Sequence, residues 1–290
     1  MYNGISIPVP GFGTYKAVGD LGRLSMETAV AEGYRHFDTA SFYKNEKELG
    51  EVLVGSGLPR KDFFITTKLW AADQGYDNTL RSLALSLKNL GTDYLDLYLI
   101  HWPRPQGPKS DPVGESWKTL NRESWRAMNR MYEEGVLKGI GVSNFLPHHI
   151  ENIECAGRLP MADQLEYHPG YLQKEAVAYC QSRGIVVEGW SPFGRGRVLD
   201  HPLLAALAAK HSVSAAQVCV KFALQMGVLP LPKASSKERI RENRRTEHFT
   251  LTEEELSAIR ALPLSGWSGE HPDRPKAEAM GWQTERGGTA

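Results

Sequence analysis

A chain of 290 residues, 41% hydrophobic and 23% charged, has enough apolar material for one large α/β domain or two ordinary ones. Lys and Arg number 34, as do Asp and Glu, so there is no net charge to draw the protein to nucleic acid or an anionic membrane, and any anion site must be local. No apolar run approaches the roughly 20 residues that cross a bilayer, and Met1-Tyr2-Asn3-Gly4 has neither a basic start nor an apolar signal core, so a cytoplasmic protein is expected. Cys155, Cys180 and Cys219 are odd in number, widely spaced and in helix-like segments, which reads as three buried or semi-buried thiols rather than a disulfide framework or a zinc site.

In chain order, Ile5 to Tyr15 alternates and is punctuated by Pro and Gly, which predicts a short β-hairpin capping the floor of the fold and leading into a first strand. Gly11 and Gly13 have no third glycine at the dinucleotide-fingerprint spacing, so a Rossmann unit is unsupported; backbone room near a ligand, or a bulge, is their expected use. Leu24 to Glu32 reads as a helix stopped by Gly33, and Tyr34 to Asp38 as a strand. The alternation then repeats. Helix Glu46–Gly55 precedes strand Phe63–Leu69, and Asn78 to Asn89 carries leucines at helical spacing before Gly91. Leu95 to His101 has the near-continuous apolar run of a buried parallel strand.

Trp102 to Trp117 is rich in Pro, Gly and charge and reads as a long loop over a binding face. Beyond it come helix Ser124–Glu134, strand Lys138–Val142, helix His148–Ala156, strand Met161–Glu166, helix Lys174–Ser182 and strand Ile185–Trp190. Helical pieces Pro202–Lys210 and Ala215–Met226, strand Val228–Leu231, and helices Ser236–Arg244 and Glu253–Leu262 finish the pattern. Eight strand-and-helix units without a linker predict one (β/α)8 TIM barrel spanning 1–290, with residues from about 275 onward a poorly ordered tail.

Barrels keep their chemistry where strands end. Three successive strands end at Asp38, Lys68 and His101, and Tyr43 follows the first in its loop. Each alone is an ordinary hydrogen-bonder at a strand end; together they are a set of titratable groups that can converge at one mouth. A tyrosine titrates near pH ~10 and needs help to act as an acid and base at neutral pH. A lysine beside it would lower that value, a carboxylate would hold the lysine, and a histidine would donate to a carbonyl oxygen. Such a group moves a proton to or from oxygen, which is half of an alcohol–carbonyl interconversion. Lys233, Ser235 and Arg239 follow the eighth strand and open a helix, the usual phosphate position in barrels, unless they are only a solvated basic stretch. Trp190 offers a flat face for a ring, or plain packing.

Three stretches are longer than chance supplies: Gly33-Tyr34-Arg35-His36-Phe37-Asp38-Thr39-Ala40 with Tyr43-Lys44-Asn45-Glu46, then Leu95-Asp96-Leu97-Tyr98-Leu99-Ile100-His101-Trp102-Pro103, then Gly139-Ile140-Gly141-Val142-Ser143-Asn144-Phe145. With Gly11-Phe12-Gly13-Thr14 and Arg239 to Asn243, they resemble the aldo-keto reductases over most of the chain. The resemblance implies a barrel, closed over by a C-terminal loop, that binds extended NADPH without a Rossmann domain and reduces a small carbonyl substrate, usually as a monomer.

By position it implies that Asp38, Tyr43, Lys68 and His101 form the catalytic tetrad, Tyr43 giving the proton in reduction. Ser143, Asn144 and Gln164 would hold the carboxamide, Trp190 would stack on the nicotinamide, and Ser191, Pro192, Phe193 and Gly194 would run along the pyrophosphate. Gly13 and Thr14 would border the cofactor, Lys233, Ser235 and Arg239 would take the 2′-phosphate, and Glu242 and Asn243 the adenine. Tyr15, Phe42, Trp70 and Trp102 would line the substrate pocket. Three positions depart from the common pattern. Ala234 replaces a serine and loses a phosphate contact, Asp163 replaces an asparagine and brings a charge beside Gln164, and Trp190 is similar to the bacterial subgroup that includes the 2,5-diketo-gluconate reductases. A cofactor-binding regulatory barrel, or a lyase acting through a Schiff base at Lys68, are the other readings of the same residues.

Overall fold

The computed structural model describes residues 1–105 and 114–274. Eight parallel strands form one sheet in sequential order: β1 (Phe12–Gly13), β2 (His36–Asp38), β3 (Phe64–Leu69), β4 (Leu97–Ile100), β5 (Ile140–Ser143), β6 (Ala162–Glu166), β7 (Val186–Trp190) and β8 (Val228–Leu231). Amides of Gly11 and Gly13 donate to the carbonyls of Pro230 and Pro232 at 3.1 and 3.0 Å, bonding the first strand to the last and closing the barrel. A Cβ at Gly13 would stand 3.2 Å from the Leu231 carbonyl oxygen, so a side chain there would press on that seam.

The helices alternate with the strands: α1 (Gly19–Ala31), α2 (Glu46–Gly55), α3 (Tyr76–Leu90), α4 (Ser116–Glu133), α5 (Pro147–Glu154), α6 (Lys174–Ser182), α7 (Pro202–His211), α8 (Ala215–Gln225), α9 (Lys237–Arg244) and α10 (Glu253–Arg260). α3 stops because Gly91, at φ 63, takes the left-handed turn that lets the Thr92 amide reach back to Leu87. No single helix among the described residues is long and apolar enough to cross a membrane.

Side-chain alternation along buried strands divides the interior into two worlds. On β3, Ile65 and Leu69 pack outward among the helices, while Phe64, Thr66 and Lys68 point into the barrel. Phe64, Leu97, Leu99 and Ala162 make an apolar floor, sealed from below by Met1, Ile5 and Ile7. Above it the barrel turns polar, because the next inward residues are His36, Thr66, Gln164 and Glu188, and above them Asp38 and Lys68.

The segment ahead of β1 covers the floor as expected but is not a hairpin. It turns at Gly4, where the Gly4 amide bonds to Met1, and continues without strand pairing. Pro8 and Pro10 cannot donate to a ladder, so an alternating pattern here yields a plug rather than paired strands. α1 begins at Gly19 and α4 at Ser116, both earlier than their apolar stripes suggested. In α4, Trp117, Asn121, Ser124, Trp125 and Met128 are all buried, so a polar-looking start still turns a face inward. Cys180 and Cys219 are buried as expected, but Cys155 is exposed, because it falls at the open end of α5 rather than on its packed face. Of the 102–117 loop, residues 106–113 lie outside the described residues, as does the tail from 275.

Candidate active site

At the carboxyl ends of β2 and β3, Lys68 is wholly buried and donates to both Asp38 carboxylate oxygens at 2.7 Å and to the Thr39 carbonyl at 3.0 Å. Its ammonium lies 3.5 Å from the Tyr43 hydroxyl, so one cation joins an acid on β2 to a phenol in the following 3-10 turn, Ser41–Tyr43. His101, directly after β4, sets its ring edge-on to Tyr43 at 5.7 Å. The four titratable residues read from three strand ends and one following loop therefore meet at one mouth.

The expectation that Lys68 lowers the Tyr43 pKa is not met. Burial first, then the negative charge of Asp38, pushes the phenol well above its ordinary value. The short bonds from Lys68 go to Asp38, and the longer reach to Tyr43 leaves burial dominant. The hydroxyl is thus kept protonated, the state an acid must hold before it can give a proton.

An aromatic wall flanks this group. Phe42 and Trp70 stack at 3.9 Å and 17°, Trp70 meets the His101 ring at 5.3 Å, and Tyr15 sits 5.0 Å from Tyr43. Trp102 is buried, and its carbonyl accepts from Gln74 at 2.7 Å.

Beside the tetrad, Asn144 ties three strand ends together: its amide donates to the His101 carbonyl and to Ser143 Oγ, and its oxygen accepts from the Trp190 indole at 2.9 Å. This fixes the half-buried Trp190 ring. Ser143 in turn donates to the Gln164 carbonyl at 2.8 Å. Gln164 Nε2 donates to Asp38 Oδ1 at 2.8 Å and to Glu188 Oε2 at 2.9 Å. Thr14 binds the Asp38 carbonyl through both its amide and its hydroxyl, so Gly13 and Thr14 are part of the frame around Asp38.

Beyond β7, Ser191 and Arg195 adopt positive φ, and Phe193 packs on the core beside the turn Gly194–Gly196. Pro192 lies between Ser191 and Phe193 and is buried. Arg195 pairs with Glu270 at 3.3 Å, while Arg197 returns to the Gly194 carbonyl. The C-terminal segment is thereby folded against the mouth, and Ser268 is pinned by its amide and hydroxyl to the buried Glu166 carboxylate. After β8, Lys233 is half-buried and bonded to Ser235 at 2.6 Å, and Arg239 is exposed in the first turn of α9, capped by Ser236. Desolvation lowers the Lys233 pKa. Arg241 and Arg244 are engaged elsewhere, with Glu32 and with Glu247. On α9, Glu242 is exposed and Asn243 buried.

Two departures resolve physically. Asp163 does not face Gln164: strand alternation turns it outward, toward the Phe145 amide and Cys180, and complete burial raises its pKa. Ala234 is buried in the core, away from the exposed edge formed by Ser235 and Arg239.

The residues that the sequence reading passed over are His36 and Glu188. Glu188 is wholly buried beneath the tetrad and its pKa rises to about 7, from desolvation and then the charge of Asp38; desolvation holds His36 neutral, at about 3. Counting back by two from Trp190 would have found Glu188, and from Asp38, His36. A further cluster, His148, His149 and Asp273, gathers three potential ligand atoms near α5. His149 Nδ1 accepts from the Leu146 amide at 3.0 Å, so its proton sits on Nε2, facing Asp273 at 3.0 Å. That tautomer suits a latch between α5 and the C-terminal segment and opposes a metal at Nε2.

A closed eight-stranded barrel with buried titratable groups at its carboxyl mouth belongs to the class of barrel enzymes. The Aldo/keto reductase family model matches residues 21–263, and the chain belongs to that family of oxidoreductases. It is 41% identical over 280 residues to the oxidoreductase YtbE of Bacillus subtilis (strain 168), covering 94% of this chain and 95% of the relative. Glyoxal reductase of the same organism is 40% identical over 275 residues, with 94% and 95% covered. The crystal structure of a Bombyx mori aldo-keto reductase in complex with NADP superposes with a TM-score of 0.82 at 33% identity, covering 94% of this chain and 96% of that one.

Proposed function

We propose that this barrel reduces small aldehydes or ketones with NADPH, and that Tyr43, Lys68, Asp38 and His101 carry the proton half of the reaction. The observation that carries this reading is the Lys68 ammonium held between the Asp38 carboxylate and the Tyr43 hydroxyl at the mouth. NADPH, when bound, supplies the hydride. Tyr43 holds the proton destined for the carbonyl oxygen, and Lys68 stabilises the phenolate left behind. Asp38 fixes the lysine, and His101 orients the carbonyl against the wall of Tyr15, Phe42, Trp70 and Trp102. Similarity to a glyoxal reductase supports a small carbonyl substrate.

The donor set suits the cofactor. A half-exposed indole held by Asn144 presents a flat face, Ser143 and Gln164 lie beside it, and the cations Lys233 and Arg239 with Ser235 flank a helix start, as a 2′-phosphate requires. A Schiff-base role for Lys68 is disfavoured, since its ammonium is directed at oxygen acceptors on Asp38, Thr39 and Tyr43 and the side chain is wholly buried.

Tyr43→Phe tests the reading. NADPH binding, followed by quenching of tryptophan fluorescence, should persist while aldehyde turnover falls roughly 100- to 10,000-fold, the usual worth of a positioned acid. Unchanged turnover would remove Tyr43 from the mechanism, and persistent binding without turnover in the unmodified chain would favour a regulatory barrel.

A further inference from the structure

Gln164 has two amide hydrogens, and both are taken from below. One goes to Asp38 Oδ1 at 2.8 Å and the other to Glu188 Oε2 at 2.9 Å. Asp38 is ion-paired with Lys68 and can only accept, so the nitrogen of Gln164 must be the atom that faces it. The carbonyl oxygen is then the one polar atom the side chain has left.

We infer that Glu188 is a positioning residue for the cofactor: by taking the second amide hydrogen of Gln164 it fixes that side chain so that only an acceptor is offered to the nicotinamide carboxamide. The inference rests on the proposed NADPH site and adds a residue that does not touch the cofactor. Glu188 is placed for this by strand period alone, two residues before Trp190 and in register with Leu229 on one side and Gln164 on the other. Its other oxygen lies 3.7 Å from the buried His36 ring, which bonds Thr66 at 3.0 Å. The carboxyl therefore stands between β2 and β6, one oxygen bonded to Gln164 and the other near the His36 ring without a hydrogen-bond partner among the described residues. Without an acceptor at this position, Gln164 would have a buried N–H with no partner and would turn to satisfy it.

The test compares two ligands by calorimetry: NADPH, and 2′-phospho-ADP-ribose, which lacks the nicotinamide. Glu188→Leu should weaken NADPH at least tenfold and 2′-phospho-ADP-ribose by less than twofold, and Glu188→Gln, which can still accept the Gln164 hydrogen, should return NADPH to within threefold of the unmodified protein. Should Glu188→Leu not melt cooperatively, Glu188→Thr, too short to reach Gln164, is read in the same way. Equal loss for both ligands, or no loss for either, overturns the inference. If the unmodified chain binds neither ligand, the cofactor reading itself falls, and that outcome is separate from the behaviour of Glu188.

Discussion

The inner layer under the mouth and the edge beyond β8 are both polar, yet they are built in opposite ways. The inner layer is dry: Lys68, Gln164 and Glu188 are at most 1% exposed, and they are joined by bonds of 2.7–2.9 Å. The edge is wet, with Ser235 and Arg239 on the surface and, among the described residues, a single side-chain bond from Lys233 to Ser235. Where a proton must be delivered to one atom, geometry is fixed before any ligand arrives. Where an anion must be gripped, loosely held cations suffice, because charge attracts over distance and long side chains adjust.

The sharpest way to break this contrast is to leave a charge alone in the dry layer. Lys68→Met should cost about 3–5 kcal/mol of folding stability, because Asp38 loses its buried partner; urea unfolding measures it. The next effect is one of pH. The Glu188 carboxyl, raised to about 7 in the fold, binds its proton more tightly there than in the unfolded chain. Its stabilising share is whole below about pH 4.5 and is lost as pH climbs to 7, a fall of roughly 3 kcal/mol. Urea midpoints between pH 4.5 and 8 should reveal this slope, and Glu188→Gln should flatten it. Glu255 works in a different window: burial opposes its charge, but Lys210, the Thr252 amide and His211 outweigh burial and bring it to about 2. Its contribution is present above pH 4.5 and fades only in stronger acid. The smallest effect belongs to the wet edge. Arg239→Ala should weaken NADPH roughly tenfold, about 1.4 kcal/mol, and leave NADH affinity and the urea midpoint where they were. Equal weakening of both nucleotides would detach Arg239 from the 2′-phosphate.

The same division decides what could be read in advance. Strand ends announce themselves, since an apolar run stops at a polar residue, and Asp38, Lys68 and His101 were found that way. The layer below does not, for Glu188 and His36 sit within their strands and show themselves only when the period of two is counted from a neighbour already placed. That count also separates Gln164 from Asp163, adjacent in sequence but on opposite faces of β6. The direction of the Tyr43 shift is set by burial and then by the Asp38 charge, and how deeply a loop residue is buried exists only in three dimensions. At the N-terminus, the alternation of Ile5, Ile7 and Val9 has the period of a strand, but Pro8 and Pro10 between and beside them forbid the pairing.

The seam between β1 and β8 has one more implication. Gly13 bonds Pro232, the neighbour of Lys233, while Thr14 bonds Asp38. The chain at Lys233 and the strand end at Asp38 are thus joined through a backbone frame two residues wide, Gly13 and Thr14. If a nucleotide is held between Trp190 and Lys233 as proposed, its entry and exit fall to the segments outside that frame, 191–197 and 265–273, which are fastened to each other by the partly exposed Arg195–Glu270 pair.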